Sequence, residues 1–395
     1  MVKIKINLPI DLTFLSGLLY EGLLYSIKNS QAKRVSTFEI DLPDDFLQKA
    51  YSSLSDENLE EVRLPLAGKN DNVSLNKLCK ELNISIEKKS FRNLLIGIKN
   101  QSTRLQVKTQ VNLQLKSYGQ DILLDLEGKK GNNFTFQIFK MDRYTGLSSL
   151  EKRYTSSQLT TRLSFEATII SLLGLASSYV SGYGNNHYFL FFSPDEVSFL
   201  LSHVDSSLIN KYFRIKDSVN SSVKEYISSA VCSEVLLFEL MLNTKLQELV
   251  LKEGLDKVSL ILFRVAIEGQ TYKVYEILPV TVYKNSVFSE KLETYTRNPQ
   301  KFIQYVEKIL DPERSVIIKA LSSMSGEGRL FVEANNVLLA VQSLYKFVTF
   351  GSIESLYISI RELLNAYEKT KNEPRSKNRS KEYLELAKDF SYFLA

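Results

Sequence analysis

The chain has 395 residues, of which 44% are hydrophobic and 24% are charged, and this balance excludes a mostly disordered protein. Its 50 basic and 45 acidic residues leave a net charge of +5, which is too small to indicate a nucleic-acid partner by itself. Cys79 and Cys232 are the two cysteines, so a disulfide framework and a cysteine metal site are excluded, and the pair fits a reducing, intracellular setting.

The first part of the chain contains two stretches in which apolar and polar residues alternate. Residues 2–8 predict a first strand. The alternation is strictest from Arg104 to Lys116, where it predicts a long antiparallel strand with one buried and one exposed face. The predicted exposed face carries Arg104, Gln106, Lys108, Gln110, Asn112, Gln114 and Lys116.

This predicted face holds basic and amide side chains only. From Lys88 to Gln120 the sequence has seven lysines or arginines and no acidic residue. A cationic sheet face without neighbouring acids suits a nucleic-acid backbone, and Arg104, Lys108 and Lys116 are the predicted phosphate contacts. The alternative is an ordinary solvated sheet face, since any half-exposed strand alternates in this way.

A hairpin is predicted directly after this strand. Two runs rich in strand-forming residues, 121–127 and 134–140, flank a turn with two glycines at 128–133. Together with the long strand they predict an antiparallel meander over 100–140. The turn adds Lys129, Lys130 and Asn132 to the candidate nucleic-acid contacts.

Two further segments have side chains suited to nucleic acid. Around 141–154, Arg143, Lys152 and Arg153 lie among tyrosines and hydroxyl side chains, and arginine pairs with phosphate or guanine edges. The segment 182–186 predicts a loop, in which Tyr183, Asn185 and Asn186 supply a stacking ring and amides that can read base edges. The alternative for both segments is an ordinary surface loop.

Beyond residue 155 the periodicity becomes mainly helical. One helix is predicted over 156–181 and a short strand over 187–192. Ser193 followed by Pro194 predicts the start of the next helix, because serine caps and proline suits the first helical position. From Leu330 onward the pattern is helical throughout.

These patterns predict an α+β protein with a β-rich N-terminal domain, a mixed middle region and a C-terminal helical bundle. The predicted domains are 1–155, 156–328 and 329–395.

The sequence lacks the common catalytic and cofactor motifs. His187 and His203 are the two histidines, and neither forms a His-Asp or His-x-x-x-His metal pair. Neither a phosphate-binding P-loop nor a Gly-x-Ser-x-Gly nucleophile elbow occurs. We therefore expect a protein without catalytic residues, metal or cofactor. A nuclease that holds magnesium with carboxylates alone stays open as an alternative.

A membrane location is not expected. Met1 to Leu24 contains Asp11 and Glu21 and lacks the pattern of a signal peptide. The uncharged stretch 167–182 is shorter than the roughly 20 apolar residues that a membrane-spanning helix needs. The expected location is the cytoplasm.

Three runs between residues 140 and 200 carry a family resemblance. They are Arg143–Gly146, Phe165–Val180 with Leu172-Leu173-Gly174-Leu175-Ala176-Ser177-Ser178 inside it, and Tyr188–Glu196. The runs resemble the large subunit of archaeal type I-A CRISPR surveillance (Cascade) complexes. The order of a β-rich first half and a helical C-terminus is also similar to that family.

The resemblance implies a non-catalytic subunit that acts in antiviral defence. Such a subunit binds crRNA and target DNA, helps to recognise the PAM, contacts the backbone subunits of the complex and recruits the helicase-nuclease. The family's PAM-reading residues are not carried over, since no motif here matches them. Besides the nuclease, a structural assembly protein without a nucleic-acid role is the remaining alternative.

Overall fold

The computed structural model describes the chain except residues 119–120, 127, 129–131, 145–159, 229–235, 238–239, 241–242, 285–297, 310, 312–314, 326–329, 374–375 and 395. It describes the backbone alone at 141–144, 228, 244, 299, 308, 325, 349 and 392–394. Contacts divide the chain into two units, the first made of Met1–Lys216 with Ser259–Pro279 and the second of Asp217–Val258 with Val280–Ala395. The division into three domains that the sequence predicts is not tested by this division into two units, and it stays a prediction.

The strands of the described residues are β1 Val2–Ile6, β2 Lys33–Ser36, β3 Glu39–Leu42, β4 Gln110–Leu113, β5 Leu115–Tyr118, β6 Asp121–Leu124, β7 Thr160–Leu163, β8 Tyr179–Tyr183, β9 Asn186–Phe192, β10 Lys257–Glu268 and β11 Thr271–Tyr283. The helices are α1 Phe14–Lys28, α2 Phe46–Ser52, α3 Asp56–Glu60, α4 Lys69–Leu82, α5 Phe91–Asn100, α6 Phe165–Ser178, α7 Pro194–His203, α8 Ser206–Ser228, α9 Thr244–Lys252, α10 Pro299–Ile309, α11 Val316–Ser322, α12 Ala334–Phe350, α13 Ile353–Thr370 and α14 Lys377–Leu394.

The strands form three sheets in the described part of the chain. Their orders are β2-β3-β1-β4, β5-β6-β7 and β11-β10-β9-β8. In the first sheet β1 pairs antiparallel with β3 and parallel with β4. Helices occupy most of the described residues after β11. The predicted α+β class, with sheets toward the N-terminus and helices toward the C-terminus, is confirmed.

The predicted single strand from Arg104 to Lys116 is wrong. It begins at the end of a 3₁₀ helix, Ser102–Arg104, and its other regular parts are the two short strands β4 and β5, which belong to different sheets. The chain changes sheet at Gln114, whose backbone N–H donates to the Asn112 carbonyl at 2.8 Å. Before β4, residues 105–109 lie outside the strand ladders. Alternation alone could not predict this change, because it continues through both strands.

The predicted strand over 134–140 is also wrong. The antiparallel hairpin of this region joins β5 to β6, and β7 then pairs parallel with β6. Phe134 makes one isolated bridge to Leu163, and Gln137–Tyr144 forms a 3₁₀ helix. Ile138 and Phe139 are both buried although they are consecutive. Burial of consecutive side chains is incompatible with a strand that has one exposed face.

Ser164 and Ser193 each start a helix by capping it. The Ser164 hydroxyl accepts from the Ala167 backbone N–H, so α6 begins only after β7 and the predicted helix over 156–181 is too long. Ser193 accepts from the Glu196 backbone N–H, and Pro194 is the first residue of α7. The helix start predicted from Ser193 and Pro194 is therefore confirmed, as is the strand before it, β9.

Helices α1 and α6 cross in the first unit at two glycines. A Cβ atom on Gly22 would lie 2.0 Å from the Ile170 carbonyl oxygen, and one on Gly174 would lie 1.9 Å from the Leu18 carbonyl oxygen. The two backbones therefore approach more closely than any side chain permits. This crossing fixes the position of α6, whose first turn forms part of the candidate site.

The second unit is mainly helical and has its own aromatic core. The Phe302 ring packs against Phe347 and Phe390, at centroid distances of 5.9 and 5.7 Å. Glu333, which is buried just before α12, accepts hydrogen bonds from Arg379 and from the Tyr383 hydroxyl at 2.9 and 3.3 Å. These bonds fix α14 against the start of α12.

None of the described helices is long and apolar enough to cross a membrane.

Candidate nucleic-acid interface

A groove of about 980 Å³ lies in the first unit, along the segment 104–116. All seven polar residues of the predicted exposed face line it. The remaining lining residues are Glu81, Leu82, Val107, Asp125, Leu126, Asn132, Phe165 and Glu166. The segment is not one strand, yet its polar side chains share one surface.

Alternation explains the outward side chains of β4. Leu105, Val111 and Leu113 point into the core and are at most 7% exposed. Because successive side chains of a strand point to opposite sides, Gln110 and Asn112 face outward. Arg104 reaches the groove from the end of a 3₁₀ helix, Ser102–Arg104, and Val107 lines the groove as well. Hydrogen-bonded pairing of β4 with β1 fixes this orientation over 110–113.

Helix α6 and the end of β6 supply two of the three carboxylates of the groove, and α4 supplies the third, Glu81. Glu166 lies in the first turn of α6, where the helix dipole favours a negative charge. Asp125 follows β6 and accepts hydrogen bonds from the Asn112 backbone N–H at 2.9 Å and from the Ser164 hydroxyl at 2.7 Å. The hydroxyl that caps α6 thus also holds Asp125 in place.

The expectation that no acid lies near this face is wrong. Lys108 forms an ion pair with Glu166, with 3.5 Å between Nζ and Oε2. The described lining residues include three cations and three carboxylates, the latter being Glu81, Asp125 and Glu166. These acids are distant in sequence from the segment 104–116, so the local count of charges could not reveal them.

Arg104 and Lys116 are the first and last of the seven polar residues, and both are exposed. Their side chains form no ion pair or hydrogen bond with the residues that the structure describes. The carboxylates of the groove are partly neutralised, since Glu166 pairs with Lys108 and Glu81 accepts from the Asn132 amide at 2.9 Å. Two cations are therefore available to bind an anion.

Burial raises the pKa of the Asp125 carboxyl above its ordinary value, and the nearby Glu166 charge adds to this effect. The hydrogen bonds from Ser164 and Asn112, with the charge of Lys108, act in the opposite direction. A group with a raised pKa takes up a proton more readily as the pH falls, so acid reduces the negative charge of the groove.

The other predicted contacts fall in four places, the last of which is the hairpin of Tyr183, Asn185 and Asn186. Asn132 lines the groove with Arg104, Lys108 and Lys116. Arg143 lies in the 3₁₀ helix, but its side chain is not described. Four predicted residues lie outside the described part of the chain: Lys129, Lys130, Lys152 and Arg153.

Tyr183, Asn185 and Asn186 form a tight hairpin instead of the predicted loop. Tyr183 pairs with Asn186 across the β8–β9 turn, and Gly184 adopts a positive φ of 57° that favours glycine. None of the three lines the groove. The adjacent His187 is buried, which lowers its pKa to about 4 and keeps the ring neutral near pH 7.

Glu166 and Glu81 are groove residues that sequence reasoning did not identify. Glu166 follows the capping Ser164 by two residues, and this signal predicts a helix start rather than a binding site. Within the described residues, no group of three or more His, Cys, Asp or Glu side chains could hold a metal ion.

Comparisons with known proteins give one informative relationship. No family model and no solved structure matches the chain. A protein of Archaeoglobus fulgidus, described as uncharacterized, is 39% identical over 401 residues, which cover 99% of this chain and 100% of that protein. Identity at this level over the full length means a shared fold. The chain belongs to the same family as this archaeal protein.

Proposed function

We propose that the protein binds a nucleic-acid strand in the groove along residues 104–116. The observation that carries this proposal is the convergence of seven basic and amide side chains on one groove, with Arg104 and Lys116 unpaired among the described residues. Unpaired cations bind phosphates through charge-assisted hydrogen bonds and release counterions from the strand.

The amide side chains of the groove support the same proposal. Gln106, Gln110 and Gln114 make no side-chain hydrogen bond with the described residues, and each offers both donors and an acceptor. Such groups suit phosphate oxygens, which accept hydrogen bonds, and sugar hydroxyls and base edges, which include both donors and acceptors.

The proposed biological role is that of the large subunit in a type I-A CRISPR effector complex. In this role the protein would bind crRNA and target DNA, help to recognise the PAM, contact backbone subunits and recruit the helicase-nuclease, without catalysis of its own. The support is the resemblance carried by Arg143–Gly146, Phe165–Val180 and Tyr188–Glu196, and the archaeal origin of the relative agrees with it.

The test is the salt dependence of binding by the full-length protein. Fluorescence anisotropy with labelled single-stranded RNA and DNA should show an affinity that falls as salt rises. The slope of log K against log salt for a single strand is about −0.7 per phosphate contact, so two contacts give about −1.4 or steeper if other cations join. An affinity that is undetectable at low salt, or unchanged by salt, would contradict the proposal.

A magnesium-dependent nuclease is the second candidate. The specific observation in its favour is that Asp125 and Glu166 lie in the groove with Lys108. Carboxylate oxygens are the ligands that Mg²⁺ prefers. Cleavage of the same oligonucleotides in the presence of Mg²⁺, lost on Asp125→Asn replacement, would favour the nuclease over the binding subunit.

A further inference from the structure

We propose that Glu166 accepts a hydrogen bond from a nucleobase, so that the groove recognises the bases of a single strand as well as its phosphates. The inference rests on the proposed function and names its ligand class. It assigns base recognition to a carboxylate in the groove and not to the hairpin residues Tyr183, Asn185 and Asn186.

The geometry of Glu166 carries the inference. Its side chain is 4% exposed, and Oε1 accepts a long hydrogen bond of 3.4 Å from the Lys108 backbone N–H. Oε2 is buried without a hydrogen-bond partner among the described residues. A buried acceptor without a donor is costly, and Glu166 lines the groove. A ligand that brings an N–H donor to this position would satisfy Oε2.

Movement of the Lys108 side chain would let the ligand reach Oε2 of Glu166. Its ammonium group is 3.5 Å from Oε2, and its side chain is 66% exposed, so the ion pair is loose. A phosphate in the groove competes with Glu166 for this ammonium group. Transfer of Lys108 to the phosphate leaves the Glu166 carboxylate free for the base. Phosphate binding and base recognition are therefore coupled at one ion pair.

The chemistry of a carboxylate predicts which bases it prefers. An ionised carboxylate accepts hydrogen bonds and cannot donate them, and it pairs with the amino group on N4 of cytosine. Uracil has a carbonyl oxygen at the same position, which would face the carboxylate as a second acceptor. Single strands expose this edge, whereas a duplex uses it in base pairing. Adenine and guanine also carry amino groups, so the expected ligand is a single strand whose bases offer an amino donor, and cytosine against uracil is the comparison that isolates this donor.

The experiment compares oligo(C) with oligo(U) RNA of equal length, using the full-length protein and fluorescence anisotropy at one salt concentration. We expect wild-type protein to bind oligo(C) about tenfold or more tightly, because hydrogen bonds to charged groups contribute about 1.5–3 kcal/mol. In Glu166→Gln the preference should fall to about threefold or less, since a neutral acceptor forms a weaker bond.

Glu87→Gln is the matched control. It removes one negative charge from the first unit, but Glu87 is exposed and does not line the groove. We expect it to keep the preference for oligo(C). Glu166→Asp withdraws the carboxylate by one methylene group and should lose the preference, which provides a second variant if Glu166→Gln does not fold.

The outcomes separate the inference from the proposed function. If wild-type protein binds neither strand, the proposed function fails. If it binds oligo(C) and oligo(U) equally, the groove binds nucleic acid but the inference about bases is overturned. A preference that survives in folded Glu166→Gln and Glu166→Asp would overturn the assignment to Glu166.

Discussion

Replacing Arg104 and Lys116 together by glutamine should weaken the binding of single-stranded nucleic acid by at least about tenfold at low salt. These two cations line the groove, are exposed, and have no partner among the described residues, so their loss removes phosphate contacts without leaving a buried charge unpaired. The slope of log K against log salt should become shallower by about 1.4, or about 0.7 for each contact.

The matched control is the pair Lys33→Gln and Lys69→Gln. Both lysines are exposed in the first unit, and neither lines the groove. This control changes the net charge by the same amount, so it separates local contacts from the overall field of the protein. Equal losses of affinity in the two double variants would mean that the segment 104–116 is an ordinary solvated face and not a phosphate-binding one.

Replacing Lys216 by methionine should reduce the free energy of unfolding of the first unit by about 3–5 kcal/mol. Lys216 forms an ion pair with Glu21, and both side chains are at most 2% exposed. Glu21 also accepts a hydrogen bond of 2.6 Å from Ser177 on α6. Without Lys216 the Glu21 carboxylate would remain buried and uncompensated, and burial of an unpaired ion is strongly unfavourable.

Urea unfolding of a double-mutant cycle measures this effect. The double variant Glu21→Gln with Lys216→Met should recover part of the lost stability, because it removes both charges. Lys49→Met is the control, since Lys49 and Asp45 form an exposed pair at 2.9 Å whose loss should cost less than about 1 kcal/mol. If Lys216→Met is as stable as Lys49→Met, the buried pair of Lys216 and Glu21 does not make the expected contribution to the free energy of unfolding.

The sequence predicts which residues line the groove better than it predicts the conformation of their backbone. Period-two alternation places Arg104, Lys108 and Lys116 on one surface, and all three line the groove, although Arg104 lies in a 3₁₀ helix and not in extended backbone. It cannot show that the chain passes from one sheet to another at Gln114, since hydrogen-bond partners come from residues 2–6 and 121–124.

The charge of the groove depends on contacts that are distant in sequence. Glu166 follows Lys108 by 58 positions, and their ion pair exists because β7 brings the start of α6 next to the segment 104–116. Local signals were sufficient at Ser193 and Pro194, where capping involves residues three positions apart. They were insufficient at 134–140, where burial of consecutive aromatic and aliphatic residues replaced strand alternation.

Photo-crosslinking locates the bound strand on the protein. Full-length protein would be bound to a single-stranded RNA that carries photoreactive bases, irradiated, digested and analysed by mass spectrometry. We expect crosslinks on peptides from the segment 104–116 and from the start of α6 around Glu166, which line the same groove. Crosslinks confined to the helical second unit, or their absence from both groove segments, would contradict this expectation.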